Sequence, residues 1–192
     1  SFSITAAVPA EGRHDITAIA TDAAGNPSAS TLLTVVVDTT APVVTLVGLA
    51  VITAEAGFQY FDAGAAADGG EEVVTEGTVD TSILGDHQLT YTAQDLAGNV
   101  GTATRTVDVV DTTEPVITIV EGDVTIEVGD PYQELGATVS DNYDTQLTVK
   151  IDSSLVKKDV VGTYTVSYTV TDSSGYVGTA TRTVIVDDNT AP

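Results

Sequence analysis

Apolar and polar residues alternate along several short stretches of the chain, which is the pattern of a β-strand with one buried face. In the segment "HQLTYTAQD", Leu89, Tyr91 and Ala93 fall on one face, and threonines occupy the other. The same alternation recurs in "VSYTV" at 166–170. No window shows a helical period, and valine and threonine, which suit a pleated surface, dominate these stretches. The pattern predicts an all-β protein.

Turn signals separate the alternating stretches and allow a strand layout for residues 111–188. "GDPY", "SDNYD" and "DSSGYVG" interrupt the alternation at short intervals. The predicted strands are a split first strand at 116–120 and 124–128, a second at 134–139, a third at 147–151, and a final hairpin of 164–171 and 179–186. Residues 152–162 are predicted to be irregular. Several short strands in about 75 residues are typical of a β-sandwich.

One segment of the chain occurs three times. "DLAGNVGTATRTVDVVDTTEP" at 95–115 has related copies at 22–42 and 172–192, spaced 73 and 77 residues apart. This period is too long for a solenoid of small helical repeats and indicates an array of small domains. We predict the C-terminal part of one domain at 1–38, complete domains at 39–110 and 111–188, and the start of a further repeat at 189–192. The chain is expected to be a segment of a longer protein.

The charge balance narrows the choice of partners. The formal net charge is −22, from 28 acidic and 6 basic residues. This excess disfavours nucleic acid and anionic membranes and favours cations. No stretch approaches 18 consecutive apolar residues, so no membrane insertion is expected in this segment. Cysteine is absent, which excludes a disulfide framework.

The strand order brings acidic residues to one end of each domain. If the first strand runs away from the N-terminal end, then the incoming linker, the loop after the second strand and the last hairpin turn all meet there. In the second domain these three elements carry Asp38, Asp68 and Asp95, with Asn99 nearby. In the third domain they carry Asp111, Asp141 and Asp172, with Asn142 and Asp144 nearby.

Carboxylates that converge in this way repel one another unless a cation lies between them. Oxygen ligands without histidine or cysteine suit Ca²⁺ better than zinc or copper. A metal that binds only the folded state would also stabilise a small domain that has no disulfide. The alternative is ordinary turn chemistry, because Asp and Asn side chains bond the local backbone of turns.

Several motifs resemble a known family. "GDPYQELGATVSDN", "GTYTVSYTVTDSSG" and "TATRTVIVDDNTAP", with their counterparts in the second domain, are similar to the immunoglobulin-like repeats of large bacterial surface proteins and adhesins. The resemblance covers 39–188. It implies tandem immunoglobulin-like β-sandwiches, an extracellular or cell-surface location, and calcium at the joints between neighbouring repeats, bound by the aspartates above and by Asn99. The third copy departs from the pattern, because Tyr176 stands where the others have Asn26 and Asn99.

The basic residues suggest structural roles. His14 and His87 align with Tyr164, so no catalytic histidine is expected. Arg105 and Arg182 share the strand phase of inward valines. Either the arginine stem folds over the sandwich edge to pair with an acid, or a bulge changes the phase. The acids recur with the repeat, whereas a catalytic site normally occurs once, and no nucleotide-binding or nucleophile motif is present. No enzymatic activity is expected.

These observations predict a non-catalytic extracellular spacer or stalk of tandem repeats, made rigid by Ca²⁺ at its joints. Two alternatives stay open. One is a subunit of an extracellular filament or surface layer, in which strands from an identical neighbouring chain complete the partial first domain. The other is a glycan- or protein-binding module attached to a secreted enzyme.

Overall fold

A computed structural model of the chain describes residues 9–191. Residues 1–8, which belong to the predicted first domain, and residue 192, which belongs to the predicted next repeat, lie outside the described residues. The elements in this range are all strands: β1 Gly12–Ala18, β2 Thr31–Val37, β3 Val44–Leu46, β4 Val51–Glu55, β5 Ala65–Ala67, β6 Val73–Glu76, β7 Gly85–Gln94, β8 Val100–Val110, β9 Val116–Ile119, β10 Val124–Glu127, β11 Ala137–Ser140, β12 Lys150–Asp152, β13 Gly162–Thr171 and β14 Val177–Asp187. No helix that could span a bilayer is found among the described residues.

The chain divides into two compact units whose segments interleave along the sequence. The first unit contains the described residues up to Ile52, together with Asp62–Thr78 and Gln88–Thr106. The second contains Thr53–Phe61, Val79–His87 and the described residues from Val107 onward. Neither unit coincides with a predicted domain, and the boundaries after residues 38, 110 and 188 stay predictions.

The second unit contains a β-sandwich formed by β9 to β14. Four strands make one sheet in the order β10-β14-β13-β12, and β9 and β11 pair in a second sheet. β13 and β14 form a long antiparallel hairpin, and β10 joins β14 in parallel. Val166, Tyr168 and Val184 are fully buried at the centre, and Ile117 of β9 and Ala137 of β11 pack against them. The alternation read from the sequence therefore places the core between the two sheets.

A similar set of strands precedes this sandwich along the chain. One sheet has the order β4-β8-β7-β6, and β3 pairs with β5. On β7, Leu89, Tyr91 and Ala93 are buried, as the alternating pattern predicted. The predicted all-β class and the tandem sandwich architecture are confirmed.

Two glycines allow the linker backbone to approach the last strand of each sandwich. A β-carbon on Gly101 would lie 1.8 Å from the carbonyl oxygen of Pro42, and one on Gly178 would lie 2.0 Å from that of Pro115. No side chain fits at those distances. The "VG" that begins the repeated final strand is therefore needed where the incoming linker crosses it.

Two strands differ from their predicted bounds. β11 begins at Ala137, three residues after the predicted start, because Glu134 turns inward to accept hydrogen bonds, one of them from the backbone N–H of Gly136. β12 covers only Lys150–Asp152, where 147–151 was predicted. Val149 nevertheless packs against the core just before that strand begins.

β1 and β2 form a separate antiparallel pair, with Gly12 opposite Val37 and Ala18 opposite Thr31. Side chains at positions that are buried in β7 and β8 are exposed here. Ile16 is 48% exposed and Val36 is 71% exposed. Within the described part of 1–38, these strands correspond to the last two strands of the later repeats.

Candidate metal site

Strand phase carries two of the predicted aspartates inward. On β8, Val107 and Val109 are buried, and Asp111 follows in the same phase at 4% exposed. On β13, Val170 is buried, and Asp172 follows in the same phase at 7% exposed. Aspartate is seldom buried to this extent unless it is paired. The two-residue period of the strand therefore explains why both carboxylates point inward, but it does not explain what offsets the cost of burying them.

Asp111 lies in a cluster with two acids of the loop after β11. Carboxylate oxygens of Asp111, Asp141 and Asp144 lie within 4.8 Å of one another. Neutral groups donate hydrogen bonds to one oxygen of each carboxylate. Ser174 Oγ donates to Asp111 Oδ2 at 3.1 Å, and the N–H groups of Tyr143 and Asp144 donate to Asp141 Oδ1 at 2.9 and 2.8 Å. Ser173 donates to Asp144 Oδ2 through both N and Oγ, at 2.8 Å.

Other oxygens at this site receive no hydrogen bond from the described part of the chain. Asp111 Oδ1 and Asp141 Oδ2 are buried and have no hydrogen-bond partner among the residues that the structure describes, and the same holds for Asn142 Oδ1. The four ion pairs found within 9–191 involve other acids. Buried carboxylate and amide oxygens without a counter-charge are the donor set of a hard divalent cation. The residues present therefore fit Ca²⁺.

The turn after β4 supports this loop. Asn142 Nδ2 donates to the carbonyl oxygen of Ala56 at 2.8 Å. Gly57 has a φ of +72°, and a β-carbon there would lie 2.1 Å from the carbonyl oxygen of Asn142. Only glycine allows the turn and the loop to lie this close.

Glu55 joins the same turn to the linker. Its carboxylate accepts hydrogen bonds from Thr112 N at 2.9 Å, Thr112 Oγ1 at 2.7 Å and Thr113 Oγ1 at 2.8 Å. Burial acts to raise the pKa of Glu55, but these donors and Asn142 hold that pKa below its ordinary value. Glu55 is thus an ionised acceptor that fixes the linker directly after Asp111.

The other linkers make the same kind of contact. Glu11 accepts from the hydroxyls of Thr39 and Thr40 at 3.0 and 2.6 Å. Glu127 accepts from Asn189 N at 2.9 Å and Thr190 Oγ1 at 2.8 Å. Sequence reasoning missed these glutamates. The available signal was the threonine two positions after the aspartate in each linker, "DTT", "DTT" and "DNT".

The residues predicted for the preceding joint are arranged differently. Asp38 and Asp68 are exposed, and Asp68 Oδ1 accepts from the backbone N–H of Val43 at 2.9 Å. Asp95 accepts from Asn99 through both oxygens, from N at 2.9 Å and from Nδ2 at 2.8 Å. Glu71, at the position that corresponds to Asp144, has a buried Oε2 without a partner among the described residues. Within 9–191 these residues do not form a cluster like that of Asp111, Asp141 and Asp144.

Each sandwich also buries an arginine beside an acid and a tyrosine. Arg182 is fully buried, and its Nη1 lies 2.8 Å from Glu134 Oε1. Glu134 also accepts from Tyr168 Oη at 2.7 Å and from Tyr132 Oη at 2.5 Å. Burial acts to raise the pKa of Glu134, but the tyrosine hydroxyls, the Gly136 N–H and the Arg182 charge lower it overall. Burial and the adjoining carboxylate raise the pKa of Tyr168.

The same arrangement occurs in the preceding repeat. Arg105 pairs with Asp62, which accepts from Tyr91 Oη at 2.7 Å. The strand keeps its phase at both arginines, which agrees with pairing to an acid and not with a bulge. Both arginine side chains are buried, however, and are not draped over the edge of the sandwich as that alternative had it. The acids were not predicted, although Asp62 and Glu134 stand at the same place in "YFDAG" and "YQELG".

The aligned histidine and tyrosine positions have one local role. His14, His87 and Tyr164 each contact the carbonyl oxygen four residues earlier, at 2.5, 2.9 and 2.8 Å. These contacts close the turn before the penultimate strand. Closing this turn is a structural role that explains why histidine or tyrosine occupies this position in each repeat.

The fold and these sites define a protein of the immunoglobulin-like β-sandwich class. The profile of the family described as bacterial surface protein, Ig-like domain, matches residues 44–109 and 120–186. A second profile, bacterial Ig-like domain (group 3), matches residues 2–63. The chain belongs to the bacterial surface protein Ig-like family. Domains of such families are typically non-catalytic.

Individual proteins and solved structures are also similar to the chain. Hyalin of Lytechinus variegatus is 35% identical over 203 residues, which cover 94% of this chain and 38% of hyalin. The chain therefore spans less than half the length of that relative. The structure of the Clostridium perfringens ZmpB catalytic domain with its CBM51 domains has a TM-score of 0.45 at 12% identity, over 91% of this chain and 33% of that one. Protocadherin Gamma B7 extracellular cadherin domains have a TM-score of 0.37 at 14% identity, over 92% and 58%. Likenesses this distant carry no functional conclusion.

Proposed function

We propose that the chain is part of a non-catalytic extracellular spacer in which Ca²⁺ fixes the linker that begins at Asp111. The observation that carries the proposal is the buried Asp111, whose Oδ1 has no hydrogen-bond partner among the described residues and lies beside two further carboxylates. The family membership supports a surface location.

Electrostatics gives the reason for a cation. Two like charges about 4 Å apart repel by about 1 kcal/mol in water and by about 4 kcal/mol at an effective dielectric constant of about 20. The three carboxylates form three such pairs, with oxygens within 4.8 Å. Asp141 and Asp144 are half-buried, so water screens part of this repulsion, but the remainder is still large beside the stability of a whole domain, about 5–15 kcal/mol. Neutral hydroxyl and amide donors reduce this cost but supply no positive charge.

The ligands belong to segments that are far apart in the sequence. Asp111 comes from the linker, and Asp141 and Asp144 come from the loop after β11. Asn142 binds the turn at Ala56, and Asp172 begins the last hairpin turn. A Ca²⁺ ion on these oxygens would join the linker to that loop, so the linker could no longer bend freely. The ligands predicted from the sequence for the preceding joint, Asp38, Asp68, Asp95 and Asn99, stay a prediction, and the proposal made here covers the joint at Asp111 alone.

The first test is binding. Calorimetric titration of the chelator-treated chain with CaCl₂ should show saturable binding, and Asp111→Asn should weaken it at least about 10-fold, since it removes a buried charged ligand. Asp130→Asn, an exposed acid outside the cluster, is the matched control and should bind like the original chain. Equal affinities for the two variants would remove Asp111 from the site.

The second test concerns rigidity. Small-angle scattering in Ca²⁺ and then in chelator should show a larger spread of dimensions after chelation in the original chain. In Asp111→Asn the two conditions should give the same profile. If the original chain keeps the same maximum dimension and flexibility after chelation, calcium does not stiffen the linker.

A further inference from the structure

The turn that precedes the last strand of each repeat occurs in two chemical forms. Asp22, Asp95 and Asp172 begin the three copies, and each accepts through Oδ1 from the backbone N–H four residues later, at 2.9, 2.9 and 2.8 Å. The copies share this backbone geometry. They differ in the fourth residue after the aspartate, which is Asn26, Asn99 or Tyr176.

The asparagine satisfies the second oxygen of its aspartate. Asn26 Nδ2 donates to Asp22 Oδ2 at 2.9 Å, and Asn99 Nδ2 donates to Asp95 Oδ2 at 2.8 Å. Asn99 Nδ2 also donates to the carbonyl oxygen of Asp38 at 3.1 Å. One amide group therefore bridges the turn aspartate and the linker, and it holds the pKa of Asp95 below its ordinary value.

Tyr176 has no amide group, so it cannot donate a hydrogen bond to the second oxygen of Asp172. Asp172 is 7% exposed, and its Oδ2 is buried without a hydrogen-bond partner among the described residues. A buried anionic oxygen without a donor is costly. The two residues after Asp172 reach the acidic cluster, because Ser173 donates to Asp144 and Ser174 donates to Asp111.

The linker aspartates differ in the same sense. Asp111 is 4% exposed, and no residue in the described part of the chain donates to its Oδ1. Asp38 is exposed, and its Oδ1 accepts from Thr40 N at 3.0 Å. Within 9–191, the copy with Tyr176 thus leaves one buried oxygen of the turn aspartate and one of the linker aspartate without a hydrogen-bond donor. In the copy with Asn99, hydrogen bonds occupy the corresponding turn and linker aspartates.

We propose that the residue at this turn position decides whether a joint depends on a divalent cation. At Asn99 the side-chain amide does the bridging that a cation would do, so Asp95 and Asp38 need no ion. At Tyr176 the amide is missing, and Asp172 joins Asp111, Asp141 and Asp144 as a ligand of Ca²⁺. Asn99 is then an internal hydrogen-bond donor and not the metal ligand predicted from the sequence. This inference rests on the calcium site proposed above.

The test restores the missing amide at the third turn. In the full chain, Tyr176→Asn should weaken Ca²⁺ binding at least about 10-fold, the usual effect of altering a group that bonds a ligand, because the amide competes for Asp172 Oδ2. It should also reduce the difference in melting temperature between Ca²⁺ and chelator. Tyr176→Phe, which has no amide, is the matched control and should bind like the original chain. Equal Ca²⁺ affinity for Tyr176→Asn and Tyr176→Phe overturns the inference.

The reciprocal variant addresses the preceding joint. Asn99→Ser should lower the melting temperature in chelator, since it leaves Asp95 Oδ2 without its donor, and should not reduce the number of bound Ca²⁺ ions in calorimetry. Loss of a bound ion in Asn99→Ser would show that Asn99 is a ligand and would overturn the inference. Absence of binding in the original chain would refute the calcium site itself, whereas binding that is lost in Asp111→Asn but kept in Tyr176→Asn would refute only the role of position 176.

Discussion

Glutamine in place of Glu134 would leave the guanidinium group of Arg182 buried without a counter-charge. Glu134→Gln keeps the shape of the side chain, but its single amide oxygen can replace only one carboxylate oxygen. With that oxygen at the position of Oε1 it still accepts from Tyr168 Oη and Gly136 N, whereas Tyr132 Oη loses its acceptor at Oε2. The variant therefore removes the charge and one hydrogen bond but little packing. Breaking a buried ion pair by removing one partner costs about 3–5 kcal/mol. The Arg182 side chain is 0% exposed and that of Glu134 is 21% exposed, so water screens the pair in part. We therefore expect a loss near the lower limit, about 3 kcal/mol.

The loss should be visible both globally and locally. A loss of 1 kcal/mol lowers the melting temperature of a domain of 60–100 residues by about 4–8 °C, so a decrease of more than about 10 °C is expected in circular dichroism. Amide hydrogen exchange should accelerate along β13 and β14, which carry Tyr168 and Arg182. Both measurements use the full chain in chelator, so that metal binding does not contribute.

The control is an ion pair on the surface of the same sandwich. Lys158 Nζ lies 2.5 Å from Asp159 Oδ1, with side chains 47% and 72% exposed. Asp159→Asn should cost less than about 1 kcal/mol, because exposed pairs are well solvated when apart. If Glu134→Gln and Asp159→Asn have melting temperatures within a few degrees of each other, the buried pair does not contribute as argued.

Two further outcomes follow from the same contacts. The pKa of Glu134 is lowered in the folded state. Its stabilising contribution is therefore present above the unfolded pKa of about 4.3 and is lost as pH falls through the folded pKa. Acid titration followed by circular dichroism should show this loss of stability in the original chain and a smaller loss in Glu134→Gln. In urea unfolding, Gly57→Ala should destabilise the protein by about 1–2 kcal/mol because of the positive φ, and by about 1–3 kcal/mol more because of the contact with Asn142. Gly129 has a φ of +93° and no atom within 4 Å of a β-carbon, so Gly129→Ala should show only the cost of the positive φ. Equal urea midpoints for the two glycine variants would show that the loop yields without cost.

The hairpins and the core were predictable because their determinants are local. Alternation at Leu89, Tyr91 and Ala93 specifies which face is buried, and turn signals specify where each strand ends. The same phase, continued past the strand end, carries Asp111 inward. Sequence reasoning placed Asp111 and Asp141 at one end of the third domain, and the structure brings both into one cluster.

The supporting residues were not predictable in the same way, because their contacts join distant parts of the chain. Asn142 reaches the carbonyl oxygen of Ala56, 86 residues earlier. Glu55 reaches Thr112, 57 residues later. No spacing rule links such pairs, and a glutamate before a turn is ordinary. Asp62 and Glu134 were accessible in principle, since each stands two residues after an aligned tyrosine, but only the buried arginines show why an acid is needed there.

The buried pair and the acidic cluster share no residue, so their effects should be independent. Glu134→Gln acts between the two sheets, whereas Asp111→Asn acts where the linker meets the loop after β11. Changes at sites without shared partners usually add within about 0.5 kcal/mol. Glu134→Gln should therefore leave Ca²⁺ affinity unchanged at a temperature where the variant is folded, and Asp111→Asn should leave hydrogen exchange of β13 unchanged in chelator. A double variant whose change of stability in chelator differs from the sum of the two single changes by more than about 1 kcal/mol would show that the linker and the core form one cooperative unit. The cation would then act on the sandwich as a whole.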